Sequence, residues 1–127
     1  MSDRDGLRVN EGGDGDLIIT VKYTVAQENG ADGIEVDERG AGDVRVEMLA
    51  TRLIANGAFD PLDLDDGFDI DEYNGGSILG TVVSSLANHN HEEGFDFNEN
   101  NAGDLRVNMQ LVEAIGRRGG HRPRRRR

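Results

Sequence analysis

The sequence predicts an all-β fold, a short right-handed parallel β-helix of about four coils. Three observations point there. One unit recurs four times along the chain, each copy carries the two-residue alternation of strands, and asparagines return at matched positions in successive copies.

The copies begin at Gly6 (GLRVNEGGDGDLIITV), Gly33 (GIEVDERGAGDVRVEM), Gly67 (GFDIDEYNGGSILGTV) and Gly94 (GFDFNENNAGDLRVNM). Each runs glycine, apolar, any, apolar, Asp or Asn, Glu, a short turn, glycine, Asp or Ser, apolar. The glutamate is present every time, as Glu11, Glu38, Glu72 and Glu99, and four residues later a glycine follows, as Gly15, Gly42, Gly76 and Gly103. These glycines are spaced by 27, 34 and 27 residues, and residues 5–54 align onto 66–115 without a gap, so the chain reads as a duplicated two-unit module. The seven extra residues of the second unit fall between Asn56 and Gly67.

Taken in chain order, each unit opens on a strand: Leu7/Val9, Ile34/Val36, Phe68/Ile70 and Phe95/Phe97 alternate with polar residues. A second strand follows the glycine turn, clearest at Leu17, Ile19, Val21 and at Leu105, Val107, Met109; in the third unit Gly80 falls at an inward position. A third, shorter stretch closes the unit, and in the first three copies it carries Asn29, Asn56 or Asn90. The expected core is Leu7, Val9, Ile19, Val21, Ile34, Val36, Val46, Met48, Phe68, Ile70, Val82, Phe95, Phe97, Val107 and Met109. Identical units at fixed spacing stack like on like in a solenoid, which would line the asparagines into an amide ladder. An eight-stranded antiparallel sandwich or barrel, one hairpin per unit, is the alternative, and it gives no reason for such repetition.

The stretches AQENGADGIEV, LANHNHEEGFDF and ANG with DGFDI join an Asn-bearing turn to an acid, a glycine and alternating apolar residues. Over residues 5 to 116 this resembles the right-handed parallel β-helix repeat proteins, the pectate-lyase-like solenoids. The resemblance implies a solenoid coil, a polysaccharide as one class of partner, and an extracellular or cell-surface location. Such proteins usually have many more coils, and four coils at strand spacing would be about 19 Å long with an open sheet edge at each end.

With 127 residues the chain has room for one domain, residues 1–116, in repeats near 6–32, 33–66, 67–93 and 94–116; residues 117–127 form an Arg-rich tail expected to be disordered. The net charge is −11, but the tail holds seven arginines and no acid, so the body sets seven basic residues against 25 acidic ones. Such a body repels phosphate and disfavours nucleic-acid binding. There is no cysteine, so thiolate metal sites and disulfides are excluded. No apolar run is long enough for membrane insertion, and the first residues lack a signal peptide's apolar stretch.

Stacked coils would bring Glu11, Glu38, Glu72 and Glu99 one strand spacing apart, beside Asp37 and Asp71. Like charges that close repel by about 1 kcal/mol per pair even in water. Either a hard cation such as Ca²⁺ compensates, or each glutamate accepts hydrogen bonds from its own turn amides. Asp16, Asp43 and Asp104 would form a neighbouring column. The acid-rich insertion (Asp60, Asp63, Asp65, Asp66, Asp69) matches no EF-hand loop, and His89 and His91 fall on a turn that reads as solvated. Asp43/Arg45 and Asp104/Arg106 imitate the acid–base pairs of β-helix lyases, yet no catalytic motif accompanies them. The expected function is therefore non-enzymatic: a structural or interaction module that self-associates or docks on a larger, cell-surface assembly. A carbohydrate-active or carbohydrate-binding fragment and a cation-dependent binding module are the alternatives.

Overall fold

The computed structural model describes residues 4–58, 65–100 and 103–115. The Arg-rich tail, and Asp60 and Asp63 of the insertion, lie outside the described residues. Each repeat contributes three strands: β1 (Leu7–Glu11), β2 (Leu17–Lys22) and β3 (Val25–Gln27) in the first coil; β4 (Ile34–Glu38), β5 (Val44–Leu49) and β6 (Arg52–Ile54) in the second; β7 (Phe68–Glu72), β8 (Ile78–Val83) and β9 (Leu86–Asn88) in the third; β10 (Phe95–Glu99), β11 (Leu105–Gln110) and β12 (Glu113–Ile115) in the fourth. They form three four-stranded sheets, β1-β4-β7-β10, β2-β5-β8-β11 and β3-β6-β9-β12. Every pairing is parallel, which rules out the antiparallel sandwich or barrel. The fold is a short parallel β-helix of four coils.

Register places each repeat position on its counterpart, Leu7 on Ile34, Ile34 on Phe68, Phe68 on Phe95. The inward columns therefore stay apolar along the stack. Phe68, Phe95 and Phe97 pack together with centroids 5.8–6.4 Å apart. The core also contains residues absent from the sequence-based set: Leu17, Val44 and Ile78 at the start of the second-sheet strands, and Ala26, Leu53 and Ala87 from the third sheet. Leu7 corrects the expectation in the other direction. It is 44% exposed, because among the described residues its column ends at the first coil.

The glycine after each turn is explained by coil spacing. A Cβ added at Gly42 would overlap the carbonyl oxygen of Gly15, and the same overlap recurs for Gly76 on Gly42 and for Gly103 on Gly76. Elsewhere the coil bends at left-handed corners without glycine: Tyr23, Ala50, Ser84 and Leu111 at one, Glu28, Ala55 and His89 at another, with φ between 49° and 58°. The N–H of each corner residue from the first three coils still bonds to a carbonyl of the next coil, as Tyr23 does to Leu49 (3.0 Å) and Glu28 to Ile54 (2.9 Å), so the ladder continues through the bend and holds it.

The amide ladder is formed. Asn29 Nδ2 donates to Asn56 Oδ1 (3.0 Å) and Asn56 Nδ2 to Asn90 Oδ1 (2.9 Å). The same oxygens also accept the backbone N–H groups of Asn29 and Asn56, both at 3.0 Å. Asn56 Nδ2 and Asn90 Nδ2 further donate to the carbonyls of Ala26 and Leu53 in the preceding coils. Parallel coils present the same backbone groups at each level, so one residue type satisfies them repeatedly.

Candidate functional site

Carboxylates dominate the surface of the first sheet and its flanking turns. Glu11, Glu38, Glu72 and Glu99 end the four strands in register. Each turns its carboxylate into its own turn. Gly13 N–H donates to Glu11 (2.7 Å), Gly40 to Glu38 (2.5 Å), Asn74 and Gly76 to Glu72 (3.2 and 3.3 Å), and Gly103 to Glu99 (2.8 Å). Stacking seals the middle pair: Glu38 and Glu72 are 0% exposed, and Glu38 Oε2 and Glu72 Oε1 meet no hydrogen-bond donor. Burial pushes both carboxyls above the usual carboxylate range, against the pull of the turn amides.

Asp37 and Asp71, one residue earlier, are paired in register. Asp37 lies 3.3 Å from Arg8 and 3.8 Å from Arg39, and Asp71 accepts a 2.9 Å bond from Asn98 Nδ2. Burial raises the Asp71 carboxyl, and the Asn98 bond opposes it.

Close carboxylate triplets form elsewhere. Among the described residues, Asp5–Asp32–Glu35, Asp32–Asp66–Asp69 and Asp66–Glu93–Asp96 each bring three ligand oxygens within 4.8 Å of one another, and none contains Glu11, Glu38, Glu72, Glu99, Asp37 or Asp71. The triplets share members and make one continuous row. Its spine is the acid preceding the first glycine of every repeat: Asp5, Asp32, Asp66, Glu93. That recurring acid–glycine pair was the available sequence signal; the partners Glu35, Asp69 and Asp96 come from the strand and are brought close only by stacking.

The spine is also a clamp. Asp32 N–H donates to Asp5 (2.9 Å), Asp66 N–H to Asp32 (2.6 Å) and Glu93 N–H to Asp66 (2.8 Å). The cost is burial of charge, since Asp32 is 2% and Asp66 and Glu93 are 6% exposed. Desolvation, the first cause in each case, pushes the Asp32 carboxyl up to about 10, Asp69 to about 9 and Glu35 to about 7; neighbouring carboxylates add to it. At one end of the row the Arg8 guanidinium offsets part of this charge, 3.1 Å from Glu35 and 3.7 Å from Asp5.

A second clamp runs along Asp16, Asp43 and Ser77. Asp43 N–H donates to Asp16 (2.8 Å), Ser77 N–H to Asp43 (2.8 Å), and Asp104 N–H to Ser77 Oγ (2.9 Å). The column expected to repel is thus held by coil-to-coil hydrogen bonds, and Arg45 lies 3.8 Å from Asp16 and 3.7 Å from Asp43. Arg106 stands 3.4 Å from Asp104. Arg45 and Arg106 flank Leu79 and Gly80 in an open groove over the second sheet. His89 is an exposed corner residue and His91 is half-buried; neither joins a three-ligand group among the described residues.

The two ends of the solenoid complete the picture. Leu7 (44% exposed) and Leu105 (43%) belong to inward columns whose next members, Ile34 and Ile78, are 1% and 0% exposed. Among the described residues, β1, β2 and β3 at one end and β10, β11 and β12 at the other have a hydrogen-bonded neighbour on one side only. No protein-family model, curated protein or solved structure matches the chain.

Proposed function

We propose that the chain is a non-enzymatic structural or interaction module, a short acidic β-solenoid that associates through its end coils with further copies of itself. The half-open apolar columns at Leu7 and Leu105 carry this reading. Among the described residues both edges have strand neighbours on one side and part-exposed apolar columns, which makes them templates for more parallel strand, and a further coil of the same kind supplies both the ladder and the apolar column. The duplication of residues 5–54 as 66–115 supports it, since the sequence already joins two such modules in register. Sedimentation velocity of the full chain over a wide concentration range tests it. The expected result is concentration-dependent growth, weakened by Leu105→Asp, a change at a position exposed enough to leave the fold standing. A chain that stays monomeric throughout overturns the proposal.

A second reading, a cation-dependent binding module, is favoured by the overlapping carboxylate triplets at Asp5–Asp32–Glu35, Asp32–Asp66–Asp69 and Asp66–Glu93–Asp96. All-oxygen donors at this spacing suit Ca²⁺ over softer ions. The likeness to pectate-lyase-like solenoids rests on the turn motifs and a three-sheet parallel coil. It makes the open groove at Arg45 and Arg106 the place where a polysaccharide would lie.

A further inference from the structure

We infer that copies stack head to tail, the last coil of one receiving the first coil of the next, with Arg8 of the incoming copy seated against Asp96. This rests on the end coils being interaction surfaces, and adds the polarity of the joint and the contact that sets it.

On the outer face of the first sheet, Arg8, Glu35, Asp69 and Asp96 occupy one column in register. The first coil contributes its only base, and the other three coils contribute acids. Within the chain the Arg8 guanidinium reaches across one strand spacing to Glu35 (3.1 Å) and Asp37 (3.3 Å), with Asp5 at 3.7 Å. Half of that side chain is still exposed. A head-to-tail joint sets Arg8 one strand spacing from Asp96, so acids flank it on both sides. Joining two first coils would bring two such bases into one joint, and joining two last coils would bring two such acids into one.

Two further features accommodate this joint, and a third shares its polarity. In the adjacent outward column, Asn10, Asp37, Asp71 and Asn98, both end coils carry amides, so the joint adds no charge repulsion there. Inside, Phe95 meets Leu7, Leu105 meets Leu17, and Met109 meets Val21, like on like. The second clamp is directional, each acceptor taking an N–H from the following coil, and Asp104 stands in the last coil where Asp16 and Asp43 stand in theirs. Only a following first coil presents the matching Asp16 N–H. Parallel strands continue all three sheets in this arrangement. A heterologous joint along a solenoid axis does not close on itself, so the product is a filament with a repeat of about 19 Å per copy.

The test is a charge exchange in the full chain, read by sedimentation at physiological ionic strength, with circular dichroism confirming that every variant keeps its β content. Arg8→Glu and Asp96→Arg are each expected to weaken association about tenfold or more, by putting like charges across the joint. The double variant is expected to recover, and an equimolar mixture of the two single variants to recover by alternating. Recovery would not arise if Arg8→Glu merely frayed the first coil. The head-to-tail joint is overturned if the wild type associates but Asp96→Arg behaves like it and the double variant is no better than Arg8→Glu, the pattern of a joint between two first coils. A wild type that never associates instead removes the underlying reading of the ends.

Discussion

Replacing Asn56 with leucine probes the amide ladder at its centre. Asn56 is 0% exposed, and its side chain makes four hydrogen bonds of 2.9–3.0 Å: Oδ1 accepts from Asn29 N–H and Nδ2, and Nδ2 donates to Ala26 O and Asn90 Oδ1. Leucine fills a similar volume but offers none of them. At about 1 kcal/mol net per bond, and with the Ala26 carbonyl and the Asn29 amide left short of partners, the loss is about 3–5 kcal/mol. Total stability of a domain is only about 5–15 kcal/mol, so the melting temperature should fall by roughly 10–20 °C. Asn108→Ala, on the exposed outer face of β11, is the control and should stay within about 0.5 kcal/mol of wild type. Asn56→Asp sharpens the test. One oxygen keeps the Asn29 bonds while the other faces two acceptors, so only the protonated acid restores a donor, and the variant should be less stable at neutral than at mildly acidic pH. Urea denaturation followed by circular dichroism measures all three. An Asn56→Leu protein within about 1 kcal/mol of wild type at an unchanged m-value would show that the ladder contributes little.

The buried acids predict an unusual pH profile. Asp32 (about 10), Asp69 (about 9) and Glu35 (about 7) hold protons in the fold that the unfolded chain releases near pH 4, so their contribution is full below that point and is lost as pH rises through the folded values. The melting temperature should fall between about pH 5 and about pH 9, with a shallower slope in Asp69→Asn; a rise over that range refutes a protonated row. Added NaCl should raise the melting temperature by screening the acidic body, and millimolar Ca²⁺ should raise it further at matched ionic strength. Asp66→Asn, which keeps an acceptor for the Glu93 N–H and removes a ligand from two of the three triplets, should reduce the Ca²⁺ increment; equal responses to the two salts would leave screening alone. Gly80→Ala should stabilise by about 0.4–1 kcal/mol, since the new methyl meets Val46 and Val107 at 3.4–3.9 Å, whereas Gly42→Ala should destabilise through its overlap with the Gly15 carbonyl; thermal melts compare the two.

Much of this fold is legible in the residues because a solenoid repeats each solution at every level. Glu11 and its counterparts, the glycines four residues on, and Asn29, Asn56 and Asn90 each answer a backbone need that recurs coil by coil. The three-residue strands of the third sheet are too short to display alternation, so no pattern in the sequence marks Ala26, Leu53 and Ala87 as core. The corners at Tyr23, Ala50, Ser84 and Leu111 share a conformation and no side-chain chemistry, and at the first three the cross-coil hydrogen bonds hold the bend. The carboxylate row was half visible. Its spine recurs before each glycine, but the approach of Glu35 to Asp32, or of Asp69 to Asp66, depends on stacking. The glutamate column offered a cation and a turn cap as rival explanations, and the hydrogen bonds from Gly13, Gly40, Gly76 and Gly103 supply the cap.

The step from the second coil to the third is 34 residues where the others are 27, yet Asn56 meets Asn90 and Glu38 meets Glu72 in the same register as elsewhere. Asp65 N–H donates to Gly57 O (3.2 Å), pinning the two sides of the longer connection together. Whatever length lies beyond that pin, the lattice below it is unchanged, and lengthening such a loop adds only slowly to its closure entropy. The scaffold thus has a port at which sequence can be spliced in without renegotiating the stack. Grafted peptides, reporter tags or newly evolved recognition segments would all enter there, leaving the register of the coils as it is.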